Sequence, residues 1–100
     1  MAFAKKGAKV VIADIDADKG KKVVEKIQKD GGKAIFLKAD VSDEKAVKKL
    51  VKDTVDAFGR LDCAVNNAGV GGEQSTTDQY SIDGWNKVID INLNGVFYCM

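Results

Sequence analysis

Three short runs of residues in this chain place polar groups where hydrophobic stretches stop. Asp14 follows Lys9-Val10-Val11-Ile12-Ala13, Asp40-Val41 follows Ala34-Ile35-Phe36-Leu37, and Asn66-Asn67-Ala68-Gly69 follows Leu61 to Val65. Parallel sheets bind ligands at the carboxyl ends of their strands, and an acidic residue at such an end accepts hydrogen bonds from ribose hydroxyls. Asp14 is therefore a candidate partner for the adenosine ribose of a dinucleotide. Its carboxylate would repel a 2′-phosphate, and Ile15 beside it offers no compensating positive charge, so the pair favours NAD over NADP. Gly69 permits close backbone approach, and the Asn side chains can pin a loop or line a site. Each position alone is also an ordinary turn or helix cap. Three at one sheet edge, each suited to a nucleotide, carry more weight than any one.

Other chemistry is excluded by composition. The chain has no histidine, so neither a Cys/His zinc site nor a Ser-His-Asp triad can form within it, and no metal site is expected. Cys63 and Cys99 lack CxxC spacing, and both are expected to be reduced thiols in a cytoplasmic protein. Sixteen basic residues against 15 acidic give a formal charge of +1, too little to call for nucleic acid or an anionic membrane surface. No apolar run approaches the roughly 20 residues that span a bilayer. The lysines intermix with acidic residues, as in Lys21-Lys22-Val23-Val24-Glu25-Lys26, and read as solvated helix faces.

The elements that must hold the polar sites alternate in type. Lys9–Ala13 is a β-branched strand pattern. Ala17, Gly20, Val23, Val24 and Ile27 recur at helical spacing, and Gly31-Gly32 stops that helix. Ala34–Leu37 is a second strand. Ser42 is the expected N-cap of a second amphipathic helix, with Asp43 and Glu44 in its first turn and Gly59 closing it. Leu61–Val65 is the expected third strand, and residues 66–80 form a long polar loop. Ser81 caps a further helix, with Ile82, Trp85, Val88 and Ile89 expected to face inward, and another helix opens near Asn92. Strands alternating with helices imply βαβ units and a parallel sheet. The expected fold is a single α/β domain over residues 1–100, a partial Rossmann-like doubly wound sheet.

These runs, taken with Ile91-Asn92-Leu93-Asn94-Gly95-Val96-Phe97, resemble the short-chain dehydrogenase/reductase family over essentially the whole chain. The run Asn66-Asn67-Ala68-Gly69 is the most specific single part of the likeness. The resemblance implies hydride transfer between NAD and a small-molecule alcohol or ketone, in a full-length protein that in many members is a homo-oligomer. It implies that Asp14 selects NAD, with Ile15 next to it. Asp40 would bond the adenine amino group and Val41 would lie against the ring. Asn67-Ala68-Gly69 would support the sheet and meet the ribose. Asn92 matches the catalytic asparagine, which helps hold a proton-relaying water.

The chain departs from the family pattern at both ends. Met1-Ala2-Phe3-Ala4-Lys5-Lys6, stopped by Gly7, reads as the last turns of a helix, so the family's first strand and Gly-rich TGxxxGxG turn are missing. The catalytic Ser and Tyr-x-x-x-Lys are also missing, since neither Tyr80 nor Tyr98 has a lysine four residues on. The expectation is a fragment, without turnover by itself, whose third strand faces a vacant slot. The competing reading is a non-catalytic nucleotide-binding or interaction module. A receiver-like signalling domain fits less well, because its phosphorylatable aspartate belongs where the third strand here runs into Asn66-Asn67.

Overall fold

The computed structural model describes residues Met1–Met100, with Gly7, Gly31 and Gly59 marking where three of the helices end. Each of these glycines has a positive φ, between 84° and 91°, which side chains with a Cβ rarely adopt. Helix α1 (Ala2–Lys5) leads through Gly7 into strand β1 (Lys9–Asp14). Helix α2 (Ala17–Lys29) follows, capped by the Asp16 carboxylate, which accepts from the Lys19 N–H. Strand β2 (Lys33–Lys38) then runs parallel to β1, in a register that sets Val10 against Ala34 and Asp14 against Lys38. Helix α3 (Glu44–Phe58) ends at Gly59.

The alternation of side chains along the two strands assigns their faces. Val10, Ile12, Ala34 and Phe36 point to α2 and pack around Ala4, Val24 and Ile27, the last only 1% exposed. Leu37 points the other way, toward α3, and shares with Ala46 and Leu50 the lining of a hollow between β2 and that helix. Helices thus cover both faces of a parallel pair, which is the doubly wound arrangement the sequence implies. No helix is long and apolar enough to cross a membrane.

Gly20 explains how close α2 comes to β2, since a Cβ built there would fall on the Cδ2–Cε2 edge of the Phe36 ring. Gly20→Ala gains about 1 kcal/mol of helix propensity. It must also displace a ring in the main core, at a cost of about 1–3 kcal/mol. The variant is therefore expected to unfold at lower temperature, with Phe36→Leu in the same chain restoring part of the loss. A thermal melt that is unchanged or raised by Gly20→Ala would show that the ring yields freely.

Three sequence expectations need correction. Leu61–Val65 is not a strand: the sheet has two strands, each pairing only with the other. A strand requires a neighbouring strand, and residues 60–72 make no backbone–backbone hydrogen bond, so Val65 is left 75% exposed. Ser42 is not the cap of α3. Its hydroxyl and N–H are both taken by Asp40, and Asp43 caps instead, accepting from Lys45 and Ala46. Helix α4 (Ile82–Ile89) does form behind Ser81, but Ile82 is 75% and Trp85 59% exposed, with only Val88 and Ile89 half-buried. No sheet layer lies beneath α4 to receive them.

The main body is small, and the rest is drawn out from it. The molecule measures 51 × 24 × 20 Å, with a radius of gyration of 15.7 Å against about 13 Å for a typical globule of this length.

Candidate functional site

Asp14 and Asp40 come together because β1 and β2 are parallel and end at the same level. The Ala39 N–H donates to the Asp14 carbonyl at 3.2 Å, tying the exit of β2 to the end of β1. The Asp14 Oδ1 accepts the N–H of Asp16 at 2.9 Å, forming a small turn that fixes the carboxylate and leaves Oδ2 for an outside donor. Ile15 projects beside it, 62% exposed. The Asp40 Oδ1 accepts from the Ser42 hydroxyl at 2.6 Å and from the Ser42 N–H at 2.9 Å. The hydroxyl bond, with the backbone bond second, holds the Asp40 carboxyl below its ordinary range against a smaller opposing effect of burial. Both aspartates are exposed.

Val41 reaches the second part of the site. Beyond α4 the helix loosens into a π-turn (Asp90–Asn94) and resumes as α5 (Gly95–Cys99). Gly95 is buried against Val41: a Cβ on it would come within 2.8 Å of Val41 Cγ2 and 3.2 Å of the Val41 carbonyl. The strand end carrying Asp40 and the helix carrying Asn92 are joined by this contact.

Asn92 lies in the π-turn, a distortion often found at functional sites. Its Oδ1 accepts the Val70 N–H at 2.8 Å, and its Nδ2 donates to the Val70 carbonyl at 2.9 Å. The side chain thus copies the pairing of a strand partner and holds the residue next to Gly69. Gly69 itself approaches closely, as a Cβ there would lie 3.4 Å from Asn92 Oδ1. Asn92 keeps one N–H and one lone pair free of Val70.

The remaining expected residues are not drawn in. Asn66, Asn67 and Ala68 are exposed and make no backbone hydrogen bond, so nothing ties them to the end of β1. The site is therefore in two parts, Asp14, Ile15 and Asp40 at the strand ends and Gly69, Val70 and Asn92 at the helix, bridged by Val41 against Gly95.

A third cluster escaped the sequence reading. Glu73 accepts from the Ser81 N–H at 3.0 Å through Oε2 and from the Ser81 hydroxyl through Oε1. The Tyr80 hydroxyl accepts the Glu73 N–H at 3.0 Å, and the Tyr80 ring stands edge-on to Trp85, 6.4 Å between centroids. The Ser81 hydroxyl bond, then its N–H, holds the Glu73 carboxyl below its ordinary range. The available signal was Ser81 as an N-cap; its partner eight residues upstream leaves no local pattern. A hollow lined by Met1, Ala4, Lys5, Ile27, Asp30 and Gly31 lies at the opposite, amino end of the strands and touches none of these residues.

Comparison with known proteins fits this geometry. The family described as enoyl-(acyl carrier protein) reductase matches the chain over residues 1–100. A cyclohexanol dehydrogenase of Acinetobacter sp. (strain SE19) is 44% identical over 100 residues, covering the whole chain and 40% of the relative. A 3beta-hydroxysteroid dehydrogenase of Mediterraneibacter gnavus is 44% identical over 96 residues, or 96% of the chain and 35% of the relative. A crystal structure of a metagenomic short-chain oxidoreductase in complex with NADP superimposes with a TM-score of 0.92 at 30% identity, over 97% of this chain and 44% of that one. The chain thus spans 35–40% of the length of these two curated relatives.

Proposed function

From the premise that the chain belongs to the short-chain dehydrogenase/reductase family, we propose that it carries the adenosine half of an NAD site and one proton-relay residue of an alcohol or ketone oxidoreductase. The observation that carries this reading is the pairing of Asp14 and Asp40 at one sheet edge, with Ala39 bonded to the Asp14 carbonyl. The donor set fits the group. The free Oδ2 of Asp14 takes a ribose hydroxyl and opposes a 2′-phosphate, and Ile15 adds no cation to relieve that repulsion. Asp40 accepts from the adenine amino group while Val41 lies along the ring. Asn67-Ala68-Gly69 stands apart from the strand ends in this structure, and on this reading it meets the ribose only once the nucleotide spans the two parts of the site. The nicotinamide, when bound, supplies the acceptor or donor of hydride.

Asn92 acts on the proton side. With Val70 holding part of its amide, the remaining N–H and lone pair hold a water that passes the proton onward. Positioned proton transfer of this kind contributes about 10²–10⁴-fold to rate. Cyclohexanol and a 3beta-hydroxysteroid, the namesakes of two relatives, are both secondary alcohols on a ring, so that class is the first to try. Family membership also supports a cytoplasmic, homo-oligomeric full-length protein, with neither nucleic acid nor membrane as partner.

The test is to mix the full-length protein carrying these residues with NAD and cyclohexanol, following the absorbance of reduced nicotinamide. A rise that requires both reagents is expected, and NADP should replace NAD poorly. Tight NAD binding with no turnover on any secondary alcohol or ketone would leave a nucleotide-binding module. Absence of both would sink the reading.

A further inference from the structure

The loop from Val70 to Ser81 is closed at two places, and the closures share a helix. At its upstream end Val70 is held by both polar atoms of Asn92. Three residues on, Glu73 is held to Ser81, the N-cap of α4, whose hydroxyl also accepts the Gly84 N–H at 2.9 Å. Helix α4 runs from Ser81 directly into the π-turn that carries Asn92. The chain therefore forms a closed circuit: Val70, Gly71, Gly72, Glu73, across to Ser81, along α4, to Asn92, and back to Val70.

Glycines stand where the circuit is tightest. A Cβ on Gly72 would strike the Tyr80 hydroxyl, and one on Gly84 would strike Glu73 Oε1. Little else steadies α4, which has no buried residue and meets neither strand through a substantial contact. A helix without a packed face depends on its ends for position. At its amino end Glu73 supplies the only side-chain hydrogen bonds other than those of the cap itself, beside the edge-on contact of Tyr80 with Trp85.

We propose that Glu73 is a positioning residue, acting through Ser81 and α4 to set the register between Asn92 and Val70. The carboxylate is suited to the task because it accepts two bonds from one residue, on the N–H and the hydroxyl, which fixes direction as well as distance. A glutamine at this position keeps the acceptor for the Ser81 N–H and can donate to the Ser81 oxygen. An alanine keeps neither. The part of the proposal that concerns turnover rests on the dehydrogenase reading; the part that concerns the Val70 clamp does not.

The experiment is amide hydrogen exchange on the full chain, comparing Glu73→Ala and Glu73→Gln with the unsubstituted protein. In Glu73→Ala the Val70 N–H is expected to exchange about tenfold faster, as suits the loss of one exposed charged contact. Val11 and Ile12 in β1 should not change, and Glu73→Gln should restore most of the protection. Val70 exchange unaltered by Glu73→Ala would overturn the proposal. If Glu73→Ala loosens β1 as well, Ser81→Ala, which removes only the hydroxyl links, carries the test with the same two outcomes. In the active full-length enzyme, kcat should fall with the KM for NAD unchanged, and Glu73→Gln should recover it. A fall confined to the KM for NAD would also overturn the proposal. An unsubstituted protein with no turnover would count against the dehydrogenase reading while leaving the exchange result intact.

Discussion

Asn92→Leu in the full-length protein is expected to lower kcat about hundredfold, at the modest end of what positioned proton transfer contributes. Leucine fills nearly the same space but offers neither donor nor acceptor. It takes away both bonds to Val70 and the remaining N–H that would hold a water. Two effects then act together: the relay loses a member, and the Val70 backbone next to Gly69 loses its partner. Asn92→Asp separates them. An aspartate still accepts from the Val70 N–H but sets a carboxylate oxygen against the Val70 carbonyl, so the loop is pushed rather than released. Its kcat should lie between those of the other two proteins. Steady-state rates at saturating NAD and alcohol read this directly. Full activity in Asn92→Leu would remove Asn92 from the mechanism.

The second large effect belongs to Asp14. Asp14→Ala should weaken NAD binding about tenfold or more, in line with the loss of a hydrogen bond to a charged acceptor. NADP should bind the variant better than it binds the unsubstituted protein, because the repulsion of its 2′-phosphate is gone. Adding Arg at position 15 through Ile15→Arg should strengthen NADP further, since a guanidinium meets phosphate with two parallel bonds. Titration calorimetry with both nucleotides, on all three proteins, measures the reversal. The solved relative holds NADP, so this comparison bears directly on the choice of cofactor. An unsubstituted protein that prefers NADP would place the selectivity elsewhere than Asp14.

The parts of the structure that the sequence foretold are those fixed by local physics. Lys9–Asp14 and Lys33–Lys38 announce themselves by β-branched and apolar runs, and α2 and α3 by apolar positions three and four apart. The glycines at 7, 31 and 59 end their helices where a left-handed residue is needed. Asp14 and Asp40 could be placed at one edge because parallel strands of equal length end together. All but one of the failures share a cause, dependence on a partner far along the chain; the exception is Ser42, whose competitor Asp40 is two residues away. Leu61–Val65 has strand-like residues but no neighbour to pair with. Ser42 carries a capping side chain, yet Asp40 outcompetes the helix for it. Asn92 was found through the resemblance, whereas its contact with Val70, 22 residues away, has no signature in either stretch. Glu73 and Ser81 were hidden in the same way.

The π-turn at Asp90–Asn94 makes the length of this helix as informative as its composition. Such a turn holds one more residue than an α-turn. Deleting any single residue within it would let an unbroken α-helix form, and local helical propensity would not resist the change. The cost would fall within the turn itself: the flanking helical segments would keep their facing, but the side chains between them would be reassigned to new directions. Gly95 could then no longer face Val41 while Asn92 faced Val70. A gene that loses one codon here would still encode a good helix, but it would have lost the address at which that helix delivers its asparagine.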